Sequence, residues 1–524
     1  MSPMSRRTFV AGAAAAGLAG VLPTSARAVT RRVPLTREEH RVVVIGSGFG
    51  GGVTALRLAQ AGVPVLVLER GRRWPTGPNS DTFPRASAID ERALWYGGAP
   101  ELFGRRVSLS PYAGLIDAEV GVGMTSLCAA GVGGGSLIYQ GMTLQPAEDV
   151  FNRHLPEALD YRRMAREHYP RVARMLGVAT APDDVVEHPN YAAPRIFARN
   201  ARREGYGVEK IPMPIDWSFA QRELTGELRP SYTNGDGALG VNNGGKHTVD
   251  VTYLRDAEAT GRVRVAPLHH VREVSRAADG RWTIEVDRTD ERGTVLEQKV
   301  LTAKTLVMAA GANNTNKLLV RAAATGRIPD MPDGLGKGWG TNADRIVMWT
   351  NLADDFGAVQ GGPVVFGSKD WSDPALANTV IQASIPPLGI DTRTTVLVGF
   401  GGSDARGSFS YSHVLGRVVL SFPLGGDRPV HDRILARMER IARPAGLLED
   451  TNLIVPSTWH GLGGANMGTV CDLEGRVQGQ RGLYVLDGAL IPGSTAACNP
   501  SMTIAAVVER ALDDIVRKDV GTRI

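Results

Sequence analysis

Cysteine is scarce: Cys128, Cys471 and Cys498 are the three in 524 residues. Three cannot build a disulfide framework; one pair could form, and burial as small apolar side chains suits all of them. Internal repeats and low-complexity tracts are missing from the body of the chain, and no cluster of metal-ligating residues stands out. Long apolar runs are missing too. At 43% hydrophobic and 22% charged residues the composition is that of an ordinary globular protein, and the apolar stretch from Val10 to Leu22 is too short to cross a bilayer. Real basicity is also lacking. The formal charge is +5, but residues 1–28 hold three arginines and no acid, leaving +2 on the rest. A nucleic-acid surface is therefore not expected.

What residues 1–28 contain is ordered. Ser5-Arg6-Arg7-Thr8-Phe9-Val10 precedes the apolar stretch, and Ala26-Arg27-Ala28 closes it. A twin arginine, a short apolar core and a small-x-small end read as an export signal cleaved after Ala28, which implies a secreted protein.

The rest of the chain is organised around Arg41 to Arg70. Val42 to Ile45 make an apolar, β-branched run typical of a strand buried on both faces of a parallel sheet. Gly46, Gly48 and Gly51 supply G-x-G-x-x-G. The first permits a tight turn, the second lets backbone approach a pyrophosphate, and the third lets the next helix, expected over 52–61, pack closely. A second strand is expected over 63–68. Glu69 ends it, 23 positions after Gly46, where a carboxylate can bind both hydroxyls of an adenosine ribose. A dinucleotide site follows.

Further on, Gly131-Val132-Gly133-Gly134-Gly135-Ser136 and then Gly141-Met142 leave backbone open to something flat or phosphorylated. Residues 145–225 read as mainly helical. A β-meander is expected from Arg262-Val263-Arg264-Val265 through Val271–Val274 to Trp282–Val286. The run Thr305 to Ala312 looks like a buried strand returning to the first sheet. Alternation between Val347 and Phe422 suggests an antiparallel sheet able to wall an apolar ligand, and Pro429–Ala442 reads as an amphipathic helix. The fold class is thus α/β: a discontinuous Rossmann-like domain over 29–75, 247–330 and 475–524, and an α+β substrate domain with an antiparallel sheet over 76–246 and 331–474.

Two late segments carry candidate chemistry: Trp459-His460-Gly461-Leu462-Gly463-Gly464, and Leu483 to Gly493 with Asp487-Gly488, followed by Cys498-Asn499-Pro500. Together with the glycine fingerprint and residues 131–142 they resemble the glucose–methanol–choline (GMC) flavin oxidoreductases, and among these the bacterial sterol oxidases with non-covalent FAD. The resemblance implies FAD as cofactor, with Gly46, Gly48, Gly51 and Glu69 on its ADP half and Val271 near the adenine. It implies Gly134, Gly135 and Met142 along the flavin and its phosphates, and Asp487 and Gly488 near the ribityl chain and ring. His460 and Asn499 would face the substrate hydroxyl, one accepting its proton and the other donating to oxygen. Aligned on Pro386-Pro387-Leu388-Gly389, Gln382 stands where sterol oxidases carry the acid that shifts the steroid double bond, so isomerisation is not expected unless Asp391 substitutes.

The implied activity is oxidation of a bulky, apolar secondary alcohol to a ketone, with O2 as acceptor and H2O2 as product. The protein would be a monomer touching membranes at most transiently. A flavin-containing cyclase or lyase of polyketide or terpenoid tailoring, working without redox chemistry, is the alternative from another class.

Overall fold

The computed structural model describes residues 33–96, 110–362, 364–451 and 456–524. The proposed export signal lies outside them. The run at Val42–Ile45 does form a strand, longer than its apolar part: Leu35–Ile45 alternates exposed and half-buried residues before its last four become fully buried. That change marks where the strand passes from the molecule's edge into its centre. On one side it pairs in parallel with Val65–Leu68, which pairs in parallel with Val263–Ala266. On the other it pairs in parallel with Val295–Met308.

Strand Val295–Met308 is long enough to serve two partners on its far edge. Its outer part pairs antiparallel with Trp282–Thr289, which continues to His269–Arg276. Its inner end pairs in parallel with Leu483–Val485. Seven strands from three separated stretches of sequence therefore share one sheet. The expected meander is shorter than the sequence suggested. Val263–Ala266 is an edge strand of the parallel part, and the antiparallel turn-backs begin only at His269. Alternation alone cannot separate those cases, because an edge strand is solvated on one face like a hairpin strand.

Between the first strand and its parallel neighbour, helix Phe49–Gln60 crosses over the sheet. Glycine is required at two points of the turn that feeds it. Gly46 has φ +100°, and a Cβ there would lie 2.1 Å from Ala309 O. A Cβ on Gly51 would lie 2.1 Å from Gly46 O, so Gly51 sets how closely helix and strand approach. The helix packs on the C-terminal helix Pro500–Lys518. Between them Arg57 pairs with Glu509, and with Asp513 at 2.6 Å. Arg171 reaches the same two carboxylates at 3.1 and 3.0 Å, and Tyr253 donates to Glu509 at 3.2 Å.

The second layer is a six-stranded antiparallel sheet ordered Gly446–Asp450, Arg345–Asn351, Thr394–Gly401, Asn378–Ala383, Phe366–Asp370 and Val208–Lys210. Helix Arg428–Ala442, with its proline in the first turn, covers one face. Strands Gly407–Ser412 and Arg417–Ser421 do not join it; they form a small sheet with Lys337–Trp339. Among the described residues no helix is long and apolar enough to cross a membrane.

Candidate active site

A cavity of about 1110 Å³ runs from the turn after the first strand to the antiparallel sheet. At one end lie Gly46, Ser47, Gly48 and Glu69. Glu69 ends its strand with the carboxylate held by three donors: Ser47 N at 3.2 Å, Ser47 Oγ at 2.6 Å and Gly71 N at 2.9 Å. Val271 lines the same end, beside Arg70, whose guanidinium lies 4.6 Å from the centre of the Trp95 ring and 2.7 Å from Asp117. Gly51 does not line the cavity; it packs beneath Gly46.

The middle is lined by Gly134, Gly135, Met142, Asp487 and Gly488. Asp487 follows the strand Leu483–Val485 and accepts from Gly311 N at 2.8 Å, Thr315 Oγ1 at 2.6 Å and Ala489 N at 2.8 Å. Burial pushes its carboxyl up to about 6 against the pull of those donors.

At the other end His460 and Asn499 come together, with Asn499 Nδ2 3.3 Å from His460 Nε2. Asn499 is the residue before Pro500, so it caps the C-terminal helix, whose first turn opens on the cavity through Pro500 and Ser501. Its Oδ1 is buried without a protein partner. The loop carrying it is clamped by Asn342, whose amide donates to Thr495 Oγ1 and Cys498 O at 2.9 Å each and accepts from Ser494 Oγ and Thr495 N, also at 2.9 Å.

His460 follows the two-residue strand Ser457–Thr458, which pairs with Thr125–Ser126. Its other ring nitrogen, Nδ1, is 2.5 Å from Asp344 Oδ1. Asp344 is buried. Burial works to raise its carboxyl, but the facing imidazole, the Thr458 hydroxyl and the Trp459 amide together hold it below the usual carboxylate range. Sequence reading missed this residue. In Thr341-Asn342-Ala343-Asp344 it looks like one more polar turn residue, and the sole local sign is conformational: Ala343 has φ +50°, left-handed for a residue with a Cβ.

The wall facing this pair is apolar. Ile346, Val398 and Ile381 stand opposite one another on three adjacent strands, and Phe400 packs its ring edgewise on His460 with centroids 5.8 Å apart. Gln382 is not part of this wall. Successive strand residues alternate faces, so with Ile381 toward the cavity Gln382 points away. Its Nε2 donates to Thr395 Oγ1 at 2.8 Å, and Thr395 donates on to Gln360 at 2.8 Å. The catalytic position assigned to Gln382 is thereby corrected: its side chain is buried on the strand face turned away from the cavity. Asp391 offers no substitute, being exposed and paired with Arg393 at 3.0 Å.

Comparison with known proteins agrees with this architecture. The GMC oxidoreductase family profile matches residues 113–337 and 439–507, and a profile of NAD(P)-binding Rossmann-like domains matches 44–98. A cholesterol oxidase of Mycobacterium tuberculosis is 30% identical, with 91% of each chain covered. The chain belongs to the GMC oxidoreductase family. A second GMC relative, a cholesterol oxidase of Acinetobacter baumannii, is 25% identical over 92% of this chain and 95% of its own. Among solved structures, the pyridoxine 4-oxidase of Mesorbium loti has a TM-score of 0.62 at 17% identity, covering 91% of this chain and 99% of its own. A fungal aryl-alcohol oxidase scores 0.59 at 14% identity, covering 92% and 99%. These two likenesses concern the fold.

GMC oxidoreductases are flavoproteins, and the cavity fits such a group. A Cβ built on Gly135, in the cavity's middle, meets no protein atom within 4 Å, so the space above it is open to a ligand. A helix N-terminus and an acidic strand end stand at the end suited to an ADP moiety.

Proposed function

We propose that this GMC oxidoreductase is an FAD-dependent oxidase of bulky, apolar secondary alcohols, sterol-like in shape, that yields the ketone. The observation that carries the proposal is the His460–Asn499 pair, set 3.3 Å apart against a wall of Ile346, Ile381, Val398 and Phe400. A hydroxyl placed between two polar groups, with the remaining body on an apolar sheet, is how a largely hydrocarbon alcohol would bind. The cholesterol oxidase names of the relatives support the same substrate class.

FAD would lie along Gly46, Gly48, Glu69 and Val271 at its ADP half, and along Gly134, Gly135, Met142, Asp487 and Gly488 at its flavin half. Bound there it supplies the acceptor for the carbinol hydride, and O2 takes the two electrons onward to H2O2. The chain's own residues do the rest. Asn499 orients the hydroxyl, and His460 Nε2 accepts its proton as the C–H bond breaks. The apolar wall excludes water from the reacting carbon. The N-terminus of the helix Pro500–Lys518 favours negative charge building up beside it.

Double-bond isomerisation is not part of the proposed activity. The cavity face of strand Asn378–Ala383 offers Ile381 rather than an acid, and Asp344 is engaged by His460. A Δ5-3β-hydroxysteroid should therefore give the unconjugated Δ5-3-ketone first. The test is oxygen uptake and product analysis with a panel of 3β-hydroxysteroids. Peroxide release matched by unconjugated ketone supports the reading. Conjugated enone formed at the rate of peroxide would overturn its second part, and turnover without oxygen uptake would favour a dehydrogenase or a non-redox tailoring enzyme. Export guided by residues 1–28 is proposed with it, and finding the enzyme in the cell pellet and not in the medium would contradict that.

A further inference from the structure

We propose that Asp344 is the positioning residue for His460, fixing both the orientation of its ring and which nitrogen carries the proton. The inference rests on the alcohol-oxidising reading and adds to it a residue outside the hydroxyl-facing pair.

Four observations lead to it. Asp344 Oδ1 and His460 Nδ1 lie 2.5 Å apart as a charge pair, and both atoms are buried with no hydrogen-bond partner elsewhere in the protein. The second carboxylate oxygen is anchored by Thr458 Oγ1 at 2.5 Å and Trp459 N at 3.1 Å, and His460 N donates to that same Thr458 hydroxyl at 3.0 Å. One carboxylate thus gathers three consecutive residues and cannot swing away without releasing all of them. An ionised carboxylate can only accept, so it requires a proton on Nδ1 and leaves Nε2 as a lone pair. That lone pair faces Asn499, on the side where the hydroxyl would sit. Finally, Asn342 clamps the Asn499 loop from two residues away, so the two ends of Asn342–Asp344 support the two members of the pair.

In the reaction the alcohol's O–H proton goes to Nε2. The carbinol C–H electron pair would leave as hydride to the bound cofactor as the C=O bond forms. The imidazolium produced lies against the carboxylate, which stabilises it where it forms.

Two other titratable groups face the dyad, and the Asp344 carboxylate acts to raise both of them. Asp427, just before helix Arg428–Ala442, accepts from Ser403 at 2.5 Å and Thr341 at 3.1 Å. His431 of that helix is kept low by burial and by Arg345. Phe400 closes the ring's edge.

The test uses FAD-loaded enzyme, Asp344→Asn, Asp344→Glu and His460→Gln, with flavin reduction followed anaerobically across pH. In Asp344→Asn the reduction rate should fall about 100-fold or more with FAD content unchanged. The rising limb of its pH profile should move, because the carboxylate facing the ring is gone. Asp344→Glu should lose rate yet keep the limb at its wild-type position. A reduction rate in Asp344→Asn within about threefold of wild type and an unmoved limb would overturn the proposal, as would parallel loss of FAD and activity in both variants. A substrate-independent reading keeps the dyad testable if no alcohol reduces the wild-type flavin, an outcome that would sink the functional proposal. The Nδ1 proton should give a far-downfield resonance in wild-type enzyme, absent from Asp344→Asn and His460→Gln; its absence from the wild type refutes the pairing.

Discussion

His460 and Asn499 test the chemistry at the scale of single residues. Replacing either by alanine should lower the rate of flavin reduction by about 10²–10⁴-fold, while FAD content, read from the absorbance ratio of the purified protein, stays near wild type. Both residues sit on segments held by other contacts, Asn499 by the Asn342 clamp and His460 by Thr458 and Asp344. Equal loss of flavin and activity would make them structural. Gln382 gives the opposite test. With its amide turned to Thr395, Gln382→Glu buries a carboxylate against hydroxyl and amide groups, costing about 2 kcal/mol or more. A lower denaturation midpoint with no gain of conjugated enone is expected; enone formation would return residue 382 to the cavity.

At the level of elements, the C-terminal helix does two jobs. Its first turn presents Asn499 and Pro500 to the cavity, and its middle carries Glu509 into the cluster with Arg57, Arg171 and Tyr253. Glu509→Ala leaves two arginines sharing Asp513 and removes a buried partner, so equilibrium denaturation should show a loss of about 3 kcal/mol or more. No change would mean solvent already screens the cluster. The elements also show what sequence can disclose. The dinucleotide turn was legible because its glycines are demanded by backbone contact, as the 2.1 Å approach of a Gly51 Cβ to Gly46 O makes plain. His460 and Asn499 were found through resemblance. Asp344 was not, because its role comes from a partner 116 positions away along the chain and leaves no periodicity. Gln382 was misplaced for a related reason: alternation puts neighbouring strand residues on opposite faces, and the sequence does not say which face meets the cavity.

On the scale of the whole molecule, the GMC oxidoreductase joins two sheets with one cavity, and cofactor and stability should be coupled. If the proposed FAD binds only the folded chain, adding it should raise the melting temperature of the apoprotein. Asp487, between the sheets, gives a pH signature. Its carboxyl is held near 6 in the fold against 3.8 ordinarily, so the fold binds a proton more tightly than the unfolded chain. This contribution to stability is complete below about pH 4 and is lost as pH rises through 6. The apoprotein of Asp487→Asn should therefore lose less stability than wild-type apoprotein between pH 4 and 7 in denaturant titrations; parallel slopes would show that Asp487 is ionised throughout.

The measurement that bears most directly on the central claim is anaerobic mixing of the FAD-loaded enzyme with a 3β-hydroxysteroid while the flavin band is recorded. Bleaching of that band with one ketone formed per flavin is expected, with recovery of the band and peroxide release when air is admitted. Substrate conversion with the flavin still oxidised, or an inert flavin across every bulky secondary alcohol while small polar alcohols reduce it, would contradict that claim.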